Sequence, residues 1–252
     1  MEKISSVKNP AVRAMRELKD RKAREASGHF IVEGEKMILE ALGCGLKMHR
    51  LMVEETIPQP EWAVGMPAFA VPRSILEAVC DTKTPQGMCA EFDMPAYQPL
   101  ESAPDRIVAL DGVQDPGNVG TIWRTADAAG FQGMLLGAGS ADPFSPKVQR
   151  ASMGSGFRVQ CMRTPDLAET LRDLAALGWT VIASSLQGDD FYSRPDPGKK
   201  FVLVIGNEAR GISQQVHDSA NMLLKLPMRG GAESLNAAVA AGIMMYELMR
   251  GN

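Results

Sequence analysis

Arg106-Ile-Val-Ala-Leu-Asp-Gly-Val-Gln-Asp-Pro-Gly-Asn-Val-Gly-Thr-Ile-Trp-Arg-Thr-Ala126 reads as a strand, a turn and a helix start in succession. Arg106–Leu110 is a short apolar run rich in branched residues, the pattern of a strand covered on both faces. Asp115-Pro116-Gly117-Asn118 is a β-turn sequence that ends on an N-capping residue, Asn118, and a helix is expected from there to Gly130. Apolar runs at Gly133–Leu136, Thr180–Ser184 and Phe201–Ile205 repeat the strand pattern. Helical periodicity at Asp166–Leu177 and Ser234–Met249 completes the alternation. Strands alternating with helices predict a parallel sheet covered by helices. Ser234–Met249 is apolar at Leu235, Val239, Ile243, Tyr246 and Met249, which suits a buried helix or a subunit contact equally.

Upstream, residues 94–105 carry Pro95, Pro99 and Pro104 and no periodicity, so they are expected to link two domains. Residues 1–93 then form a small α/β domain and 106–252 a larger one. In the first, Asn9-Pro10 starts a helix expected to run to about Arg24. A strand at Phe30–Val32 leads through Gly34 into a helix stopped by Gly43 and Gly45. Strands follow at His49–Val53, Ala68–Val71 and Gly87–Phe92, with a helix at Ser74–Val79.

An apolar content of 45% and a charged content of 23% are those of an ordinary globular protein. No apolar run approaches the roughly 20 residues of a membrane helix, and the first residues carry no signal-peptide core, so a cytoplasmic protein without membrane attachment is expected. Cys44, Cys80, Cys89 and Cys161 lack any C-x-x-C spacing and read as reduced thiols. His29, His49 and His217 stand apart in sequence, and no metal site is expected. Net charge is −3, yet Met1–Arg24 holds eight Lys or Arg against three acids. A basic arm on an acidic body fits an RNA-contacting segment, and a solvated helix that binds nothing fits as well.

Ligands of open parallel sheets bind beyond the carboxyl ends of the strands. That rule points to the loops after Leu110, Leu136, Ile205 and Leu226. Turn and capping chemistry accounts for much of the first loop but not for Arg124, near the positive end of the helix dipole and suited to an oxyanion. Neither G-x-G-x-x-G after a strand nor a Walker A sequence occurs. Gly137–Asp142 comes nearest, with Asp142 where the third glycine belongs.

Three segments carry a family resemblance. Asn118-x-Gly120-x-x-x-Arg124-Thr125-Ala126, Val204–Ile212 and Leu226–Ala240 resemble, in order, the three motifs of the SpoU (TrmH-type) RNA ribose 2′-O-methyltransferases. Ser145-Pro146-Lys147-x-x-Arg150-Ala151-Ser152-x-Gly154 resembles a further segment of that family. Ile31-Val32-Glu33-Gly34 with the Ala41-Leu42 helix is similar to its small substrate-binding domain, an L30e-like α/β domain.

The resemblance implies an α/β SPOUT domain with a parallel sheet and a trefoil knot, acting on S-adenosylmethionine. It implies cofactor contacts at Gly206, Leu226 and Leu235, with Ile205 and Met228 as pocket neighbours; core packing is the competing role of the leucines. It implies a polar catalytic set of Asn118, Arg124, Glu208, Ser234 and Asn236. Arginine stays protonated at accessible pH, so Arg124 is better suited to clamping a phosphate and stabilising the developing alkoxide than to acting as base. A phosphate oxygen or Glu208 is then the proton acceptor. Glu208 can equally serve by accepting backbone N–H groups, and Ser234 by capping the last helix. RNA contacts are expected at Arg13, Arg16, Arg21, Lys22, Lys147 and Arg150. Aromatics are only 6%, which favours phosphate and shape recognition over base stacking. The implied protein is a homodimer acting on a structured RNA, ribosomal in preference to transfer RNA. The alternatives are a silent RNA-binding protein of the same fold and a small-molecule α/β enzyme.

Overall fold

The computed structural model describes residues 1–250, which divide into two compact units. The first unit comprises Met1–Pro95 and Phe144–Phe157, and the second Ala96–Pro143 with the chain from Arg158 onward.

In the first unit the elements are β1 (Glu2–Lys3), α1 (Pro10–Glu17), α2 (Arg21–Ser27), β2 (His29–Glu33), α3 (Glu35–Gly43), β3 (Met48–Glu54), β4 (Ala68–Val71), α4 (Arg73–Val79) and β5 (Met88–Asp93). Their sheet runs β1-β4-β3-β5-β2, with β5 antiparallel to both neighbours and the remaining pairs parallel. One core packs Val12, Met15 and Leu18 against Ile75, Leu76 and Val79. The single helix expected to Arg24 is two helices. Leu18 ends the first, and Asp20 caps the second by accepting from Lys22 N at 2.7 Å. Arg24 does not join the basic face: it is 3% exposed and donates to Leu18 O and Lys19 O, the uncovered carbonyls at the end of α1.

Phe144–Phe157, expected to belong wholly to the second domain, packs with the first unit instead. The Phe144 and Phe157 rings lie 5.4 and 6.1 Å from Phe30, and Arg150 pairs with Asp81 at 2.9 Å. This segment contains α6 (Pro146–Ser152), capped by Ser145. The histidines also depart from expectation. β2 and β3 flank β5 from opposite sides, which stacks His29 on His49 with centroids 4.1 Å apart.

The second unit contains β6 (Arg106–Asp111), α5 (Pro116–Ala129), β7 (Gly133–Leu136), β8 (Gln160–Arg163), α7 (Leu167–Ala176), β9 (Thr180–Asp190), β10 (Phe201–Gly206), α8 (Gln214–Ser219), β11 (Met222–Lys225) and α9 (Ala237–Leu248). All six strands are parallel, in the order β11-β9-β10-β6-β7-β8. Alternate strand residues serve two cores. Ile107, Ala109, Val202 and Val204 pack under α7 and α8, and α5 and α9 pack against each other and against β7 and β10. The segment expected as a linker is not free from Ala96 on: Gln98 N donates to Cys161 O, Leu100 and Ala103 pack on the core, and Pro104 O accepts from Trp179 Nε1. Burial pushes the Tyr97 hydroxyl in this strap up to about 12.

Two features of this sheet shape its carboxyl edge. The chain runs β6-β7-β8 in one direction and then returns on the other side of β6, so a crevice is expected beyond β10 and β6. In β9 the pairing with β11 jumps from Ala183 to Asp189, which throws Ser184–Gly188 out of the ladder. A Cβ on Gly188 would sit 2.4 Å from the Leu223 carbonyl carbon, so only glycine allows the strand to return there.

Candidate functional site

A cavity of about 500 Å³ opens at the carboxyl ends of β9, β10 and β11, within the roughly 300–1,000 Å³ common for small-molecule sites. Ile205, Gly206, Leu226, Met228 and Leu235, expected around a cofactor, all line it. Gly206 could carry no side chain: a Cβ would lie 2.2 Å from Gly211 C and Ile212 N. The loop after β10 therefore folds directly back over its strand. It is locked there by reciprocal backbone bonds between Asn207 and Gly211, at 2.9 and 2.8 Å, with Gly211 at φ 69°. Asn207 Oδ1 accepts from Ala209 N and Arg210 N, and its Nδ2 donates to Gly112 O.

Three of the expected catalytic residues form one hydrogen-bonded chain. Asn236, rather than Ser234, caps α9: its Oδ1 accepts from Ala238 N at 2.9 Å. That fixes the amide orientation, so its Nδ2 faces and donates to Asn118 Oδ1 at 3.0 Å. Asn118 in turn donates Nδ2 to Glu208 Oε1 at 2.9 Å. Glu208 also accepts from Gln114 N and Asp115 N, both at 3.1 Å. Asp115, not Asn118, is the N-cap of α5. Burial raises the Glu208 carboxyl, but the bonds from Asn118 and the backbone outweigh it and hold the group below the usual carboxylate value. Asn118, Glu208 and Asn236 thus tie the loops after β6, β10 and β11 into one joint.

Ser234 lies outside α9 and lines the cavity. Arg124 is not brought to the cavity of its own chain. It projects from the exposed side of α5 and has no hydrogen-bond or ion-pair partner among the described residues. Lys147, Arg13, Arg16 and Lys22 are exposed; Arg21 is exposed and paired with Glu25 at 2.8 Å, and Arg150 is occupied by Asp81.

The cavity has walls the sequence did not announce. Ser184–Gln187, thrown out of β9, form one side, and Gln214 and His217 of α8 contribute to another. The polar run Gln187-Gly188-Asp189-Asp190 was the available signal, since glycine inside an apolar strand pattern marks an interruption.

Comparison with known proteins agrees with this geometry. Residues 105–246 match the SpoU rRNA Methylase family, and residues 9–90 match an MRM3-like substrate binding domain. The chain is 36% identical over 249 residues to the 23S rRNA (guanosine(2553)-2'-O)-methyltransferase RlmP of Bacillus subtilis (strain 168), covering 98% of this chain and 99% of that protein. Among solved structures, the AdoMet-bound rRNA methyltransferase from Sinorhizobium meliloti superposes with a TM-score of 0.90 at 35% identity, over 99% of this chain and 97% of that one. The SpoU methyltransferase AviRb from Streptomyces viridochromogenes, in complex with AdoMet, gives 0.86 at 29% identity, over 96% and 98%. With matching motifs, sheet and flanking domain, the chain belongs to the SpoU rRNA methylase family.

Proposed function

We propose that this protein transfers a methyl group from S-adenosylmethionine to a ribose 2′-hydroxyl of ribosomal RNA in the cytoplasm. The observation that carries the reading is the cavity in which Gly206, closed over by Gly211 and Ile212, adjoins Ile205, Leu226 and Met228. A backbone cradle beside apolar side chains suits a flat, uncharged heterocycle such as adenine. When bound, the cofactor supplies an electrophilic methyl carbon, and the protein's part is to bind, orient and exclude water.

The chain's own residues divide this work. Asn118, Glu208 and Asn236 hold the three loops in register. Glu208, with its oxygens engaged and its pKa depressed, is a poor base, which leaves a phosphate oxygen of the RNA as acceptor of the 2′-proton. Ser234 lies at the cavity and positions the reacting groups. Arg124 clamps a phosphate and stabilises the developing alkoxide.

Arg124 lies away from its own cavity, and α5 adjoins α9, where Gly242 faces Thr125. On α9, Val239 and Tyr246, seven residues apart, form an exposed apolar stripe, 51 and 56% exposed. These features support a homodimer joined through α9, in which Arg124 of one copy completes the cavity of the other. Family membership and the joint between the three loops support a trefoil knot in this unit. The exposed cations Arg13, Arg16, Lys22 and Lys147 of the first unit are the proposed phosphate contacts, with Arg21 and Arg150 exchanging their acidic partners for RNA. RlmP methylates a guanosine of 23S rRNA, which makes 23S rRNA the substrate to try first.

The test is to map 2′-O-methylation across total RNA with and without the gene, then to restore any lost site in vitro with purified protein and S-adenosylmethionine. One lost and restored ribosomal site is expected. An unchanged map, or loss confined to transfer RNA, would overturn the assignment.

A further inference from the structure

The first unit holds a cluster that the methyl-transfer reading does not use. His29 on β2 stands opposite Asp93 on β5 in the antiparallel register. On the other side of β5, the pairing of β3 shifts between Met48 and Arg50, leaving His49 as the extra residue of a bulge. A regular strand would send adjacent residues to opposite faces; the bulge lets His49 share the face of Arg50. Both imidazoles therefore converge on Asp93 Oδ1, with His29 Nε2 at 3.4 Å and His49 Nε2 at 2.5 Å. All three ligand atoms lie within 4.8 Å of one another.

His29 is turned towards Asp93 by the group behind it. Its Nδ1 lies 2.6 Å from Oε1 of Glu91, a residue only 2% exposed. A carboxylate can only accept, so Nδ1 is the donor to Glu91 and Nε2 is the ring nitrogen left to face Asp93 Oδ1. Glu91 and Asp93 bring two carboxylates to the rings, and Arg50 Nε lies 2.5 Å from Glu91 Oε2 without hydrogen-bond alignment.

We propose that His29, His49 and Asp93 bind a divalent transition-metal ion of the zinc class, with Glu91 orienting His29 from behind. Zinc bonds to nitrogen and oxygen of about 2.0–2.2 Å place tetrahedral ligands roughly 3.3–3.5 Å apart, the separation between His29 and Asp93. His49 must open from 2.5 Å by about 0.9 Å to meet the same geometry; its side chain is 25% exposed, which leaves room to turn. A buried carboxylate on the far nitrogen of a ligating histidine fixes its tautomer and raises its basicity. The two histidines and one carboxylate leave a fourth position open to water. The ion would join β2, β5 and β3 at the end of the sheet, in the unit that does not contain the cavity.

The experiment is calorimetric titration of the metal-free full-length protein with zinc chloride, with thermal unfolding measured in parallel. One ion per chain at micromolar affinity and a raised Tm are expected. His29→Gln and His49→Gln should each weaken binding at least tenfold, with circular dichroism and S-adenosylmethionine affinity unchanged. Asp93→Asn, which keeps the size of the side chain, should do the same and serves if a histidine variant fails to fold. Absence of binding at 100 µM zinc would overturn the proposal and leave the cluster as two histidines paired with Asp93. Binding that survives all three substitutions would overturn it too, by placing the ion elsewhere.

Discussion

Replacing Gly206 by alanine tests the cavity with a single methyl group. Nothing about the Gly206 backbone demands glycine, since it carries no positive φ. The restriction is spatial: the new Cβ would meet Gly211 C and Ile212 N at 2.2 Å and Gly211 O at 2.5 Å. These are backbone atoms, so no rotamer change relieves the contact. Reaching an ordinary separation requires the loop to move by about 1 Å, against tight packing that resists such insertions. Movement on that scale strains the Asn207–Gly211 bonds and the contacts of Glu208 with Gln114, Asp115 and Asn118. Overpacking of this kind costs about 1–3 kcal/mol. If the loss falls on the bound form, S-adenosylmethionine affinity drops roughly 5- to 150-fold. Isothermal titration calorimetry reads this directly. Gly230→Ala and Gly231→Ala are the controls, since a Cβ at either meets nothing within 4 Å and neither has a positive φ. Wild-type affinity in Gly206→Ala, or equal losses in the controls, would refute the reasoning.

Arg124→Ala should abolish methyl transfer to RNA while S-adenosylmethionine affinity stays within a few-fold; an active purified variant would sink the assignment. Asn236→Asp keeps the cap acceptor but turns a second oxygen towards Asn118 Oδ1, so it should destabilise by about 1–3 kcal/mol. A midpoint in denaturant unfolding equal to that of the natural protein would show that the amide chain has no preferred direction. Glu208 titrates lower folded than unfolded, so its stabilisation is present above the unfolded value near 4.3 and lost as pH falls through the folded one. The Tm difference between the natural protein and Glu208→Gln should accordingly shrink between pH 6 and pH 3, and a constant or widening difference would contradict it.

The larger elements were legible because their signals are local. β7 at Gly133–Leu136 and β4 at Ala68–Val71 have the bounds that apolar runs between turn residues suggest. Residues lining the cavity were legible for another reason: the loops at the strand ends carry motifs that resemble those of a known family. What escaped depended on partners distant in sequence. The excursion of Ser184–Gly188 exists because β11 re-pairs with β9 at Asp189. The burial of Arg24 depends on the carbonyls that α1 leaves open, although Asp20 was a readable capping residue. The pairing of His29 with His49 required knowing that β2 and β3 flank the same strand. Segment 144–157 packs with Phe30, more than a hundred residues earlier, and no periodicity reports that.

The hydrogen-bonded chain also changes how the polar set should be understood. Five residues of one motif set invite five roles at the substrate, yet three of them satisfy one another. Asn236 can turn its Nδ2 to Asn118 only because α9 begins at Ala237 and occupies its Oδ1. Asn118 can then offer Nδ2 only to an acceptor, and Glu208, which also takes two backbone N–H groups, is that acceptor. The direction of donation runs from the third loop through the first to the second, ending on a charge. Reversing either amide leaves two like groups facing each other, so the joint specifies sequence as well as shape. In the proposed reading Ser234 and Arg124 are the members of the motif set that meet the RNA, and neither is an effective base near neutral pH. A reaction assigned to such a site must obtain its reactivity from the bound methyl donor and its specificity from placement. That is the division of labour expected when the chain's task is to hold a ribose hydroxyl in line.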